Sequence, residues 1–385
     1  MGDLILRTKT DVEDFVRGCT FLGTGGGGSP QAGLKLLLED IEKYGEIVIH
    51  DVSKVRDDAW VCTPYLMGSI APKTPEVLKK MKELGLTKKI GLAEKILALA
   101  VMELEKYLGV EIEVIVPIEI GGGNTPGPID AALSLGKMVV NGDYAGRAIP
   151  EIAQITTYLY DIPPYPAVYV DEYGNKSIIA RAINYLMAER LGKLVSVGAF
   201  GLVGGANFAI TGKELKKIII PNTLTECYEI GRTIREARER GDDPAIAVAK
   251  KMDGWVLFRG VVKKKDWEDR EGYMWGTTYI EGTDEFAGHT AKIWFKNENH
   301  IMWFDDKVLA TSPDIIEVIE AKSGEPITNT DLKEGTKVSV VGLRGRDPFK
   351  TPKGLEILGP KHFGFDIEYI PIEKRVTDFP VIKPK

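Results

Sequence analysis

Four glycine-rich breaks constrain the fold of this chain more than any other feature. Each follows an apolar or structured run, and the breaks are Gly23–Ser29, Met67–Ser69, Glu119–Asn124 and Asn141–Arg147. Glycine lacks a Cβ atom and accepts positive φ, so backbone amides can approach a ligand closely at such places. We therefore predict that the four breaks form the walls of one pocket.

The first half of the chain alternates between helical and strand patterns. Helical spacing of apolar residues covers residues 11–18, 30–44, 75–84 and 92–108, and short apolar, β-branched runs cover residues 46–50, 59–63, 112–118 and 138–140. This alternation predicts an α/β fold with a layered α/β domain at the N-terminus. Three of the glycine-rich breaks follow predicted strands, which is where open α/β sheets bind their ligands.

The second half of the chain changes to a β-rich pattern. Short strand-like runs cover residues 255–262, 273–280, 291–296, 301–304 and 337–341. We predict an α/β domain over residues 1–251 that carries the glycine-rich loops, a β-rich, barrel-like domain over residues 252–345, and a segment of residues 346–385 that returns to the first domain. A chain of 385 residues suits such a two-domain protein.

Composition limits the class of partner. The net charge is −6 and lysines alternate with acids, which argues against nucleic acid, and no run approaches the roughly 18 apolar residues of a membrane span. Cys19, Cys62 and Cys227 fit neither a disulfide framework nor a paired-thiol zinc site, so we expect a cytoplasmic protein. Abundant Lys, Glu and Ile suggest a thermophile, and aromatic residues in the β-rich part favour a homo-oligomer.

The first glycine-rich break has three interpretations. Gly23–Gly28 matches the G-x-G-x-x-G pattern of dinucleotide folds, but the helical pattern just before it leaves little room for the required strand, so NAD is not expected. The loop amides could instead hold a phosphate or carboxylate at the N-terminus of the helix that begins at Pro30. The glycines could also simply let two helices pack closely. For ligand binding, the predicted residues are Thr24, Gly25, Gly26, Gly27, Gly28 and Ser29.

The third break places a carboxylate beside a flexible loop. Glu119 precedes Gly121–Gly123 and Asn124, which suits a metal ligand or a general base, although a surface acid at a strand end would show the same pattern. We predict a catalytic role for Glu119. The substrate-binding residues predicted from the second and third breaks are Gly68, Gly122, Gly123 and Asn124.

The fourth break begins a series of polar residues. Asp143, Arg147 and Glu151 are four residues apart and would share one side of a helix over residues 146–154. They could form a solvated salt-bridge ladder, or Arg147 could clamp a substrate carboxylate while the acids act in catalysis. The preceding Asn-Gly-Asp favours the second interpretation. We therefore predict catalytic roles for Asp143 and Glu151 and substrate binding by Arg147.

Together these motifs resemble those of the DUF917 family, whose members are similar to S-methyl thiohydantoin desulfurases and are often encoded near hydantoinase/oxoprolinase-type proteins. The motifs that carry the resemblance are FLGTGGGGSP at residues 21–30, MGS at 67–69, EIGG at 119–122, NGD at 141–143, GRAIPE at 146–151, and GP and FG within residues 359–364. The resemblance covers nearly the whole chain. It implies the same two-part architecture and chemistry at a C–S or C–N centre of a thiohydantoin or hydantoin ring. Asn141 replaces the acid usual in the family, which weakens the case for a dicarboxylate metal site at that loop.

These observations lead to one main hypothesis and two alternatives. In the main hypothesis, a hydrolase-like enzyme acts on a cyclic imide: amides of residues 25–28 and 121–123 stabilise negative charge, and Asp143 or Glu119 activates water directly or through a divalent metal. The first alternative is a subunit that binds a small molecule or nucleotide and works with a hydantoinase/oxoprolinase-type partner. The second alternative is an NAD-dependent oxidoreductase.

Overall fold

The N-terminal part of the molecule is built around a mixed sheet. The computed structural model describes residues 2–68, 74–89 and 93–384, so Ser69 of the second break and Leu92 of the fourth predicted helix lie outside the described residues. The strands of this part are β1 (Leu4–Leu6), β2 (Ile47–His50), β3 (Trp60–Gly68), β4 (Ile112–Ile115), β5 (Met138–Val140), β6 (Gly142–Asp143), β7 (Ala167–Asp171), β8 (Lys176–Ile179), β9 (Leu202–Thr211) and β10 (Ile220–Pro221).

Helices pack around these strands. They are α1 (Lys9–Leu22), α2 (Pro30–Tyr44), α3 (Pro75–Glu83), α4 (Ala93–Leu108), α5 (Pro126–Leu135), α6 (Thr156–Leu159), α7 (Tyr185–Gly198), α8 (Gly212–Ile218), α9 (Thr223–Arg240) and α10 (Pro244–Lys251). Helix α2 has the predicted limits. Helix α1 is longer than predicted and leads directly into the first glycine-rich loop, so a helix rather than a strand precedes that loop.

Strand order brings the polar loops together. Among the described residues, the main sheet has the order β1-β2-β5-β4-β3-β9-β7-β8, and β2, β5, β4 and β3 are parallel neighbours. The loops that follow these strands therefore leave from the same edge of the sheet. Successive residues such as Val61 and Cys62 belong to different hydrophobic clusters, because the side chains of a strand alternate between two covered faces. Strands β7 and β8 pair antiparallel as a hairpin.

The C-terminal part contains a curled half-barrel sheet. Its strands are β11 (Trp255–Arg270), β12 (Tyr273–Gly282), β13 (Thr290–Lys296), β14 (Glu298–Phe304), β15 (Lys307–Thr311), β16 (Ile315–Glu320) and β17 (Lys337–Leu343). In the part of the chain that the structure describes, they form an antiparallel sheet of order β15-β14-β13-β12-β11-β17-β16. The predicted fold class, an α/β domain followed by a β-rich, barrel-like part, is confirmed.

The last segment contains the short helices α11 (Pro352–Leu358) and α12 (Ile372–Arg375). Ile357 and Phe363 belong to the same hydrophobic cluster as Tyr144 of the α/β part. Gln154 Nε2 also donates a hydrogen bond to the Ile357 carbonyl, at 2.8 Å. The segment thus packs against the loops that follow β6.

One predicted element is wrong. Residues 146–154 form bends and turns instead of a helix. Gly146 has a φ of +69°, outside the helical region, and Pro150 lacks the N–H that a helix interior needs. Asp143, Arg147 and Glu151 therefore do not share the side of a helix and point to different neighbours.

Candidate functional site

The first and third glycine-rich loops lie in direct contact. The amides of Gly123 and Asn124 both donate to the Gly27 carbonyl, at 3.0 Å each. Gly27 has a φ of +81°, and a Cβ atom there would lie 2.5 Å from the Gly121 Cα atom. Both loops therefore need glycine at their point of contact, and they pack against each other rather than facing each other across an open cleft.

Residues of the half-barrel cover the first loop from the other side. The Asn299 amide donates to the Thr24 carbonyl at 2.7 Å, and the Asn329 amide donates to the Gly25 carbonyl at 2.6 Å. A Cβ atom on Gly26 would lie 1.9 Å from Glu298 Oε1. The glycine-rich loop is thus enclosed between the two parts of the protein.

Glu119 is the first residue of the third loop and is held at both oxygens. Its Oε1 atom accepts from Asn124 Nδ2 at 2.5 Å, and its Oε2 atom accepts from the Ile149 amide at 2.7 Å. Burial and the nearby Asp143 charge raise the pKa of Glu119 to about 7, although its two hydrogen bonds and Arg147 act in the opposite direction. A carboxyl with such a pKa can give or take a proton near neutral pH.

Asp143 is also fully buried. Its Oδ2 atom accepts from the amides of Ala145 and Gly146, at 2.9 and 2.7 Å. Burial raises the pKa of Asp143 to about 6, and the two amides and the Thr223 hydroxyl partly offset that effect. Glu119 is close enough to Asp143 for the Asp143 charge to raise the pKa of Glu119.

Arg147 joins the two parts of the protein. Its side chain, only 1% exposed, donates to the carbonyls of Ala148, Asp314 and Asn299 at 3.0–3.1 Å and to Thr24 Oγ1 at 2.8 Å. Burial lowers the pKa of Arg147 to about 10, and four acids act against that effect. We call this set the Arg147 cluster: Arg147, Glu119, Glu298, Asp314 and Glu317.

Glu151 lies in a different environment. Its Oε2 atom contacts His362 Nε2 at 2.9 Å, and its Oε1 atom accepts from Lys296. Burial acts to raise the pKa of Glu151, but the hydrogen bonds and charges of His362 and Lys296 outweigh it and hold the pKa at about 2. Glu151 is therefore an ionised partner in an interdomain ion pair.

The remaining predicted residues fall into two groups. Gly28 lies against Asn124, Gly123 lies against Ser29, and Gly122 lies against Pro30, while Ser29 caps α2 by accepting from the Ala32 amide at 3.2 Å. These residues belong to the contact between the two loops. Gly68, by contrast, is the last residue of β3 and packs against Gly201, which directly precedes β9, and against Ser196 of α7.

Sequence reasoning missed the acids that the half-barrel contributes. Glu298, Asp314 and Glu317 are at most 3% exposed. Glu317 had a detectable signal, because it interrupts the apolar run Ile315–Ile319, and an acid at the centre of a buried strand needs an explanation. Glu298 follows a tight turn and lacks such a signal.

Other features of the described regions, residues 2–68, 74–89 and 93–384, bear on ligands and membranes. Within them, no group of three or more His, Cys, Asp or Glu side chains is arranged to hold a metal ion. No helix there has the length and apolar character to cross a membrane. A cavity of about 300 Å³ lies near the fourth break and is lined in part by Glu226, Arg344 and Arg346.

Comparisons with known proteins agree with this architecture. A crystal structure of a protein from Chromobacterium violaceum is similar to the chain with a TM-score of 0.75 and 20% sequence identity, over 96% of this chain and 100% of that one, and it supports the fold alone. No curated protein matches the chain. Two family models match, the S-Me-THD-like N-terminal domain at residues 10–181 and the S-Me-THD-like C-terminal domain at residues 183–372. The chain therefore belongs to the S-Me-THD-like family, that of S-methyl thiohydantoin desulfurase-like proteins.

Proposed function

We propose that the protein is a hydrolase that uses water to attack a thiohydantoin or hydantoin ring at a C–S or C–N centre. At the level of the family, the match supports a thiohydantoin-related enzyme. The observation that carries the finer proposal is the buried Glu119 carboxyl, which is held by Asn124 and the Ile149 amide and has a pKa of about 7. An acid of this kind is suited to take a proton from water at neutral pH.

The glycine-rich loops supply the second part of the proposal. The amides of Gly26 and Gly123 are engaged by the carbonyls of Gly23 and Gly27. The amides of Gly25 and Gly27 act on the carboxyl groups of Glu317 and Glu298, so we assign to them the stabilisation of the negative charge that these acids carry when they ionise. Backbone donors fixed in a water-poor site favour a transition state in which negative charge develops.

Two of the other predicted residues receive different roles in this proposal. Arg147 donates to four oxygen atoms of the protein, so it provides positive charge beside Glu119 instead of clamping a substrate carboxylate. Asp143 raises the pKa of Glu119 through its charge. We propose that Asp143 tunes the base and that Glu119 removes the proton from water.

The test is mass-spectrometric turnover of hydantoins, thiohydantoins and S-methyl thiohydantoins by the purified protein. We expect product from the wild type and a loss of about 100-fold or more in kcat for Glu119→Gln, because a general base contributes 10²–10⁴-fold. Glu113→Gln is the matched control, since Glu113 lies on β4 and pairs with Arg56 at the surface. Repeating the assay with a chelator tests for a metal.

Two results would contradict the proposal. If Glu119→Gln keeps wild-type turnover, Glu119 is not the base. If the folded wild type converts none of the compounds, the binding-subunit hypothesis is favoured instead. That hypothesis requires a hydantoinase/oxoprolinase-type partner for activity and predicts that a bound ring compound raises the melting temperature of the isolated chain.

A further inference from the structure

Glu298 is a buried acid of the half-barrel with one carboxyl oxygen that lacks a hydrogen-bond partner. It is the first residue of β14 and is only 3% exposed. Its Oε1 atom lies so close to Gly26 that a Cβ atom on this glycine would be 1.9 Å away. Its Oε2 atom is buried and has no hydrogen-bond partner. Native proteins rarely leave a buried carboxyl oxygen unpaired, so such an atom indicates a ligand, water or a catalytic role.

Two more side chains of the half-barrel, those of Glu317 and His300, also have buried polar atoms without a hydrogen-bond partner. Glu317 is fully buried, and neither of its carboxyl oxygens makes a hydrogen bond of regular geometry, although the Gly25 amide influences its titration. His300 is fully buried as well, its Nδ1 atom contacts Ser312 Oγ at 3.2 Å, and its Nε2 atom has no partner. The charge of Arg147 acts on all three groups. Unpaired polar atoms thus converge around Arg147 from the half-barrel side.

Glu298 and Glu119 approach this region from opposite parts of the protein. Burial raises the pKa of Glu298 well above its ordinary value, and the charge of Glu119 adds to that effect. Two buried carboxyls that repel each other do not both ionise, so one remains protonated while the other is charged. Such a pair provides an acid and a base at the same pH.

We propose that Glu298 is the catalytic acid that protonates the leaving sulfur of an S-alkyl thiohydantoin, while Glu119 is the base. This inference rests on the proposed function and extends it to a second residue. The geometry supports it, because the Glu298 carboxyl lies against the glycine-rich loop and its Oε2 atom is not committed to any other group.

The proton transfers balance over the reaction. Water adds to the ring carbon that bears sulfur while Glu119 takes one of its protons; an O–C bond forms, the C=N π bond of the ring breaks, and its electron pair moves to the ring nitrogen. The C–S bond then breaks, the electron pair leaves with sulfur, and Glu298 donates its proton to give a thiol. The proton that remains on the added oxygen returns to Glu298 as the carbonyl forms, and Glu119 passes its proton to the ring nitrogen. Both carboxyls return to their starting states, and no oxidant or reductant is required.

The test compares two leaving groups. An alkyl thiolate needs a proton to leave, whereas a 4-nitrophenyl thiolate leaves without one. We expect Glu298→Gln to lower kcat for an S-methyl thiohydantoin by about 100-fold and to lower kcat for the S-(4-nitrophenyl) analogue by less than about 10-fold. Glu119→Gln should slow both substrates alike, because each needs an activated water. Glu281→Gln is the control, since Glu281 lies on β12 and its side chain is 58% exposed.

Each outcome decides the matter. Equal losses for both leaving groups, or a Glu298→Gln variant that remains within a few-fold of the wild type on the S-methyl substrate, would overturn the role of Glu298 and leave the proposed function intact. A folded wild type that converts neither substrate would overturn the proposed function and this inference together. If Glu298→Gln does not fold, Glu298→Asp is measured on the same pair, because it keeps the acid but moves it by one methylene group, and a larger loss on the S-methyl substrate is again expected.

Discussion

At the scale of single residues, the Arg147 cluster is governed by the cost of burying charge. One guanidinium faces four acids in the interior, and full ionisation of all four would leave uncompensated negative charge away from water. The acids respond by taking up protons more readily, and burial is the leading cause of the raised pKa for Glu119, Glu298, Asp314 and Glu317. Glu119 and Asp314, whose pKa values lie at about 7, can therefore exchange protons near neutral pH.

Glu119 should make stability depend on pH in a defined direction. Its pKa rises from an ordinary value of 4.5 to about 7 in the folded state, so the folded state binds more protons between these values and stability falls as pH rises through that window. Glu119→Gln lacks this titration. We expect the free energy of unfolding of the variant, relative to the wild type, to increase by about 3 kcal/mol between pH 4.5 and 7.5. Urea unfolding across this range measures it, and parallel curves would contradict the prediction.

At the scale of elements, local patterns predicted most of the fold. The apolar stripe of α2 and the β-branched runs of β2 and β4 lie within short stretches of sequence, and the structure has these elements at or near the predicted positions. The helix expected over residues 146–154 does not form, because tertiary contacts of these residues outweigh the helical spacing of their polar side chains. Arg147 uses its donors across the domain interface, and Asp143 binds the amides of its own turn.

The contact between the first and third glycine-rich loops can be tested by replacing Gly121 with alanine, which adds one methyl group. A Cβ atom on Gly121 would lie 2.3–2.4 Å from backbone atoms of Gly27, and backbone cannot move aside as a side chain can. We expect Gly121→Ala to lower the free energy of unfolding by about 1–3 kcal/mol. Gly198→Ala is the control, because nothing lies within 4 Å of a Cβ atom there. Equal urea midpoints for the two variants would show that the loops are not tightly packed.

At the scale of the whole molecule, the site is assembled from residues that are far apart in the sequence. Glycine motifs revealed the N-terminal half, because several glycines in a row are conspicuous in any sequence. The residues that the half-barrel contributes to the site, such as Glu298 and Asp314, could not be inferred from the sequence. The half-barrel contacts the first loop through residues far away in the sequence, such as Asn299 and Asn329. Glu317 was the exception, since its apolar surroundings can be read directly from the sequence.

The three parts of the chain meet at Glu151, and this contact should stabilise the molecule in a pH-dependent way. Glu151 binds Lys296 of the half-barrel and His362 of the last segment, and Lys296 is 9% exposed at its side chain. Glu151→Gln should therefore cost about 3 kcal/mol at pH 7, because the buried ammonium loses its partner. The pKa of Glu151 in the folded state is about 2, below its ordinary value of 4.5, so its stabilising effect is complete above pH 4.5 and fades as pH falls towards 2. The difference in the free energy of unfolding between variant and wild type, measured by urea unfolding, should narrow over that range.

Glu368→Gln is the control. It alters an exposed pair with Lys361 in the same segment and should change stability by less than about 1 kcal/mol. A gap that stays constant from pH 7 to pH 2.5 would mean that Glu151 does not hold the three parts together through its charge.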